Sequence, residues 1–152
     1  MKLEDLKILL ADDDADDCMF FKLAIQELLP VKNFTALHDG EKLMTFLNLK
    51  TTELPHILFL DLNMPRKNGF ECLSEVKINK NLRHIPVIMF STSFEQGVVN
   101  QLYNNGARHF IRKPSEFSQF KKIIQQTLIL LTQDRVSEPS MENFVLTLHN
   151  NI

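Results

Sequence analysis

The chain has 152 residues, 44% of them hydrophobic and 24% charged, with a net charge of −2. That length buries one domain's core without metal or disulfide staples. The composition excludes collagen-like, low-complexity and disulfide-scaffold classes, and the small negative charge gives no electrostatic footprint for nucleic acid or an anionic membrane.

In chain order, short apolar runs alternate with helical patterns. Lys7–Ala11 reads as a buried strand. Ala15–Leu29 reads as a helix with Phe20, Phe21, Ala24, Ile25 and Leu28 inward, closed by Pro30. Asn33–Leu37 is a strand, and Asp39–Leu49 a helix with Leu43, Met44 and Leu47 inward. His56–Leu60 is a third, wholly apolar strand, followed by a helix over Asn68–Asn79 with Phe70, Leu73 and Val76 inward. Pro86–Phe90 is the fourth strand, its proline at the start, where a missing N–H is tolerated. Phe94–Asn105 is a helix ending before Gly106, with Val98 and Leu102 inward and Val99 and Tyr103 outward. His109–Arg112 is the fifth strand, and Ser115 is expected to cap a long last helix with Phe117, Phe120, Ile124, Leu128 and Leu131 on one face.

Strands that read as solid apolar runs are covered on both faces, which predicts a parallel sheet with right-handed crossovers. The expected fold is α/β: a doubly wound, five-stranded parallel sheet with five helices. One domain over residues 5–133 is expected, with 134–152 a C-terminal extension rather than a separate domain. Its apolar stretch, Phe144, Val145, Leu146 and Leu148, does not suit a solvated tail. Asn143–His149 is therefore expected to be extended and docked, on its own domain or on a second copy.

Cys18 and Cys72 read as buried, reduced thiols. The five histidines show no ligand spacing and read as surface or loop residues. Glu4 and Asp5 interrupt the N-terminus where a signal peptide would be apolar, and no apolar run approaches the roughly 20 residues of a spanning helix. A cytoplasmic protein is expected.

Ligands of an open parallel sheet bind beyond the carboxyl ends of its strands. Asp12 and Asp13 follow the first strand, Asp61 the third, Ser91 the fourth and Lys113 the fifth, and with a strand order of 2-1-3-4-5 they face one pocket. Three carboxylates so close repel one another, and a hard divalent cation resolves this by taking oxygen ligands. Mg²⁺ typically takes one or two carboxylates, waters and a phosphate oxygen. Lys113 supplies a positive charge for another phosphate oxygen and Ser91 a hydroxyl. A carboxylate can act as the nucleophile, and Asp61, alone after the most central strand, is the best placed. Asp14, Asp16 and Asp17 read as acidic residues favourable at a helix start. Arg66 and Lys67 read as a solvated loop beside the site.

Four stretches, Ile8–Asp14, Leu58–Leu73, Pro86–Ser93 and Asn105–Pro114, together resemble the receiver domain of two-component response regulators, in its stand-alone, chemotaxis-regulator-like form. The resemblance covers about residues 5–133 and implies the strand order 2-1-3-4-5 of the flavodoxin-like receiver fold. It implies that Asp61 is the phosphoacceptor and that Asp13 and Asp61 bind Mg²⁺ directly. Asp12 would assist largely through water, and Asn63 would offer its backbone carbonyl. It implies that Ser91 is the switch hydroxyl and that Phe110, three residues before Lys113, is the switch aromatic. Ser at 91 and Phe at 110 depart mildly from the commoner Thr and Tyr, and Phe110 lacks a hydroxyl to hydrogen-bond.

The implied function is a signalling switch rather than an enzyme. A sensor histidine kinase or histidine phosphotransfer protein donates the phosphoryl group, and the product form binds a target protein, forms a homodimer or relays the group. No nucleic acid or membrane partner is expected. An aspartyl-phosphate phosphatase would need a second acid/base Asp two residues after the nucleophile, where Asn63 stands. A flavin site would need a phosphate loop where Asp12–Asp14 would repel the ligand.

Overall fold

The structure, a computed structural model, describes residues 2–49, 53–133 and 140–148. Six strands form one parallel sheet: β1 (Ile8–Ala11), β2 (Phe34–Leu37), β3 (Ile57–Asp61), β4 (Val87–Ser91), β5 (His109–Arg112) and β6 (Val145–Leu146), in the order β2-β1-β3-β4-β5-β6. The helices are α1 (Ala15–Ile25), α2 (Gly40–Leu47), α3 (Gly69–Ile78), α4 (Gln96–Asn104), α5 (Phe117–Thr132) and the single turn α6 (Met141–Phe144). The first five strands take the expected order. The sixth is an addition, paired in parallel with β5 through Phe110↔Val145 and Ile111↔Leu146.

Alternate strand residues face opposite sides, so the sheet separates two apolar clusters. Ile8, Leu10, Phe59, Phe90 and Ile111 pack with α1 and α5, where the Phe21 ring meets Phe59, Phe90 and Phe120 edge-on at 4.7, 5.7 and 5.9 Å. Leu9, Leu58, Leu60, Met89 and Phe110 pack with α2, α3, α4 and Phe144. The continuous burial of β1, β3 and β4 is what two-sided cover requires.

Helix starts follow local chemistry. Asp14 caps α1, accepting from the Asp16 and Asp17 amides, and Asp39 caps α2 through the Lys42 amide. Asn68 and Glu71 close a reciprocal capping box on α3.

Four expectations are corrected. Ser115 does not cap α5: the helix starts at Phe117 after Glu116, with no side-chain cap. The inner face of α4 is Val99 and Leu102, while Val98 is only half-buried and Tyr103 packs edge-on against Phe144 at 5.3 Å. The expected pair, Val98 and Leu102, and the observed pair, Val99 and Leu102, are four and three apart; both are helix-face spacings, so spacing alone left the inner face of α4 open. His109 is buried in β5, its Nδ1 3.1 Å from the Phe144 carbonyl oxygen. In the extension, Asn143 and Phe144 lie in a helical turn and only Val145–Leu146 is strand, while residues 134–139 and His149 lie outside the described residues. No helix among the described residues is long and apolar enough to cross a membrane.

Candidate functional site

The carboxyl ends of β1, β3, β4 and β5 converge. Asp12 follows β1 and is fully buried; its amide donates to the Leu37 carbonyl, and its Oδ1 accepts from the Asp14 amide at 2.9 Å. Asp61 ends β3 and is 4% exposed, whereas Asp13 is exposed. Each of the three offers a carboxylate oxygen, and these lie within 4.8 Å of one another.

Lys113 follows β5, and its amide donates to the Ser91 carbonyl at 2.7 Å. Its ammonium donates to Asp12 at 2.9 Å and to Asp17 at 2.8 Å, lies 3.3 Å from Asp61, and sits 5.2 Å from the Phe90 ring centre. Asp17 was expected to be only a favourable charge at a helix start; it is also a partner of this lysine. The available signal is that side chains in the first helical turn lean back over the N-terminus, here toward the strand ends.

The electrostatics follow from burial and crowding. Burial, then the Asp12 carboxylate, pushes the Asp61 carboxyl up to about 7, against the pull of Lys113. Burial also raises Asp12. Burial would lower the Lys113 ammonium, but its hydrogen bonds to Asp17 and Asp12 prevail and raise it. A divalent cation fits this donor set. The oxygens are hard, three carboxylates converge, and Asp61 resists ionising beside Asp12 without further positive charge.

Gly69 sets the floor. A Cβ there would stand 2.5 Å from the Asp61 carbonyl oxygen and 2.8 Å from the Leu62 Cα, so only glycine lets α3 begin against the end of β3. The Gly69 amide donates to the Leu62 carbonyl across this contact. Asn63 is exposed at the rim, and Met64 is buried under the turn. Arg66 has a positive φ of 68° and is exposed, as expected of a solvated loop, 3.8 Å from Asp39, whereas Lys67 is half-buried and pairs with Glu75.

Ser91 is buried at the end of β4, its Oγ 3.3 Å from the Ser93 hydroxyl. Phe110 is 1% exposed and meets the Phe94 ring at 5.9 Å. Phe110 also lines a cavity of about 270 Å³ with Asn63, Phe70, Ser93 and Val98. The structure thus brings Asp12, Asp13, Asp61 and Lys113 into one cluster. Ser91 and Lys113 are joined through their backbones, and Phe110 stands behind the β4–α4 loop. Both thiols are buried and pushed up to about 12 by that burial, which leaves them unreactive.

Known proteins place this geometry. The response regulator receiver domain is the family whose model matches, over residues 8–125. The probable methanogenesis regulatory protein FilR2 of Methanothrix harundinacea (strain 6Ac) is 30% identical over 122 residues, 78% of this chain and 79% of its own. The response regulator Rcp1 of Synechocystis sp. (strain ATCC 27184 / PCC 6803 / Kazusa) is 29% identical over 78% of this chain and 83% of its own. Among solved structures, the phosphorylated cyanobacterial phytochrome response regulator RcpA superposes with a TM-score of 0.77 at 26% identity, covering 89% of this chain and 99% of that one. The Mn²⁺-bound form of Rcp1 gives 0.75 at 26% identity, covering 88% and 98%. The chain belongs to the response regulator receiver domain family, a switch module of two-component signalling.

Proposed function

We propose that Asp61 accepts a phosphoryl group from a phosphohistidine on a sensor histidine kinase or histidine phosphotransfer protein. An Asp61 carboxylate oxygen attacks phosphorus, the P–N bond breaks, and the leaving imidazole nitrogen takes a proton from solvent. Lys113 carries the ammonium that neutralises a phosphoryl oxygen, and it is already held 3.3 Å from Asp61. Ser91 turns its hydroxyl from Ser93 to donate to another. Asp12, Asp13 and Asp61 would hold Mg²⁺ with the backbone carbonyl of Asn63. When bound, the ion neutralises charge on the carboxylates and the phosphoryl oxygens.

The observation that carries this reading is the convergence of three carboxylates and one buried ammonium at the ends of neighbouring strands. Rcp1 is described as Mn²⁺-bound and RcpA as phosphorylated, which supports a divalent ion and a phosphoryl group for this chain. The module covers residues 5–133, with Phe110 as switch aromatic and 134–152 as an extension. It is cytoplasmic, turns over no substrate beyond its own phosphoryl group, and signals by binding a target protein or a second copy.

Phosphorus NMR tests the reading. Wild-type protein given an acyl phosphate and Mg²⁺ gains a protein-bound acyl-phosphate resonance that hydroxylamine abolishes, and a chelator prevents its appearance. A resonance that forms equally well with chelator, or resists hydroxylamine, contradicts it.

A further inference from the structure

We propose that the outer edge of β5, with the slot between β5 and α4, is a docking surface for the chain's own segment 140–148, and that its occupation is linked to phosphorylation of Asp61. The second half rests on the reading of Asp61 above.

The seat is specific. Val145 and Leu146 pair in register with Phe110 and Ile111. Phe144 is fully buried, with its ring edge-on to Tyr103 of α4 and its carbonyl oxygen held by His109. Val145 packs on one face of the sheet, and Leu146 and Leu148 on the other. The segment therefore straddles the edge strand and grips both faces.

The surface and the site share one short strand. β5 has four residues, and Lys113 follows it directly, two residues beyond Ile111. The Lys113 amide is bonded to Ser91, and its ammonium reaches Asp12, Asp17 and Asp61. Phe110 faces Val145 across the ladder and Phe94 of the β4–α4 loop through its ring. Without the segment, β5 would be the sheet's edge strand, with an unpaired row of backbone groups. Docking fixes that strand and the ammonium at its end, which lowers the ordering cost of holding a phosphoryl group on Asp61. Linkage is reciprocal, so a phosphoryl group on Asp61 tightens docking of the segment by the same factor.

Hydrogen exchange on the full chain, with Mg²⁺ alone and with Mg²⁺ plus beryllofluoride as phosphoryl mimic, tests this. The amides of 140–148 and β5 are expected to slow by about fivefold or more when the mimic binds. Phe144→Ala, with its fold confirmed by a cooperative melt, should bind the mimic more weakly by a similar factor. If that variant does not fold, exchange in the wild type decides alone. Mimic binding that leaves the segment's exchange unchanged overturns the linkage, as does wild-type affinity in the folded variant. Protection that grows with protein concentration overturns docking within one chain in favour of exchange between copies. Wild-type protein that does not bind beryllofluoride overturns the reading of Asp61 and this inference with it.

Discussion

One ammonium faces three carboxylates, and that ratio governs the site residue by residue. Unfolded aspartate ionises near pH 3.9, whereas folded Asp61 does so at about 7. Between those values the metal-free folded protein holds a proton that the unfolded chain has released. Stability therefore falls as pH rises through the window, and the loss is complete above it. Asp61→Asn removes the group, so the melting temperature of this variant without metal should be flatter from about pH 4 to 7; a fall as steep as wild type's would contradict the assignment of burial strain to Asp61. Lys113 is the compensating charge, with its side chain 6% exposed. Lys113→Ala should cost about 3–5 kcal/mol in urea denaturation at pH 8 without divalent cation, because Asp12 and Asp61 would remain buried without it. The four central residues were legible in the sequence because their types are rare at the ends of apolar strands. Asp17 was not, because a helix-start aspartate reads the same whether or not a lysine from 96 positions away reaches it.

Among the elements, strands were the more legible. Apolar runs bounded by Pro, Asp and Ser left little choice of state, and each of the five fell within a residue of its expected bounds. Helix ends were less so. Gln26–Leu29 follows α1 as turns rather than helix, and Ser115 lost the cap of α5 to a start two residues later. The face of α4 was misread because Val98, Val99, Leu102 and Tyr103 are all apolar or amphipathic. The place of Tyr103 is set by Phe144, a residue 41 positions downstream. Gly69 joins two elements, β3 and α3, by close approach. Gly69→Ala should cost about 1–3 kcal/mol, since backbone rather than a flexible side chain must yield. It should also weaken Mg²⁺ binding in calorimetry by displacing Asp61; unchanged stability and affinity would contradict the contact.

For the molecule as a whole, the alternation of strands and helices announced the doubly wound sheet, whereas the order β2-β1-β3-β4-β5 came from the resemblance. The extension was legible only as too apolar for solvent. Which edge it joins depends on the vacancy beside β5 and the slot under α4, neither of which periodicity reveals. The two-sided core leaves the strand ends as the place where polar side chains can converge, and Asp61 there is the proposed phosphoacceptor. Intact-mass and peptide mass spectrometry after incubation with an acyl phosphate and Mg²⁺ tests it most directly. Wild type should gain one phosphoryl group, mapped to the peptide carrying Asp61, while Asp61→Asn, folded by its melt, gains none. Equal incorporation in the variant, or a group mapped elsewhere, would contradict it.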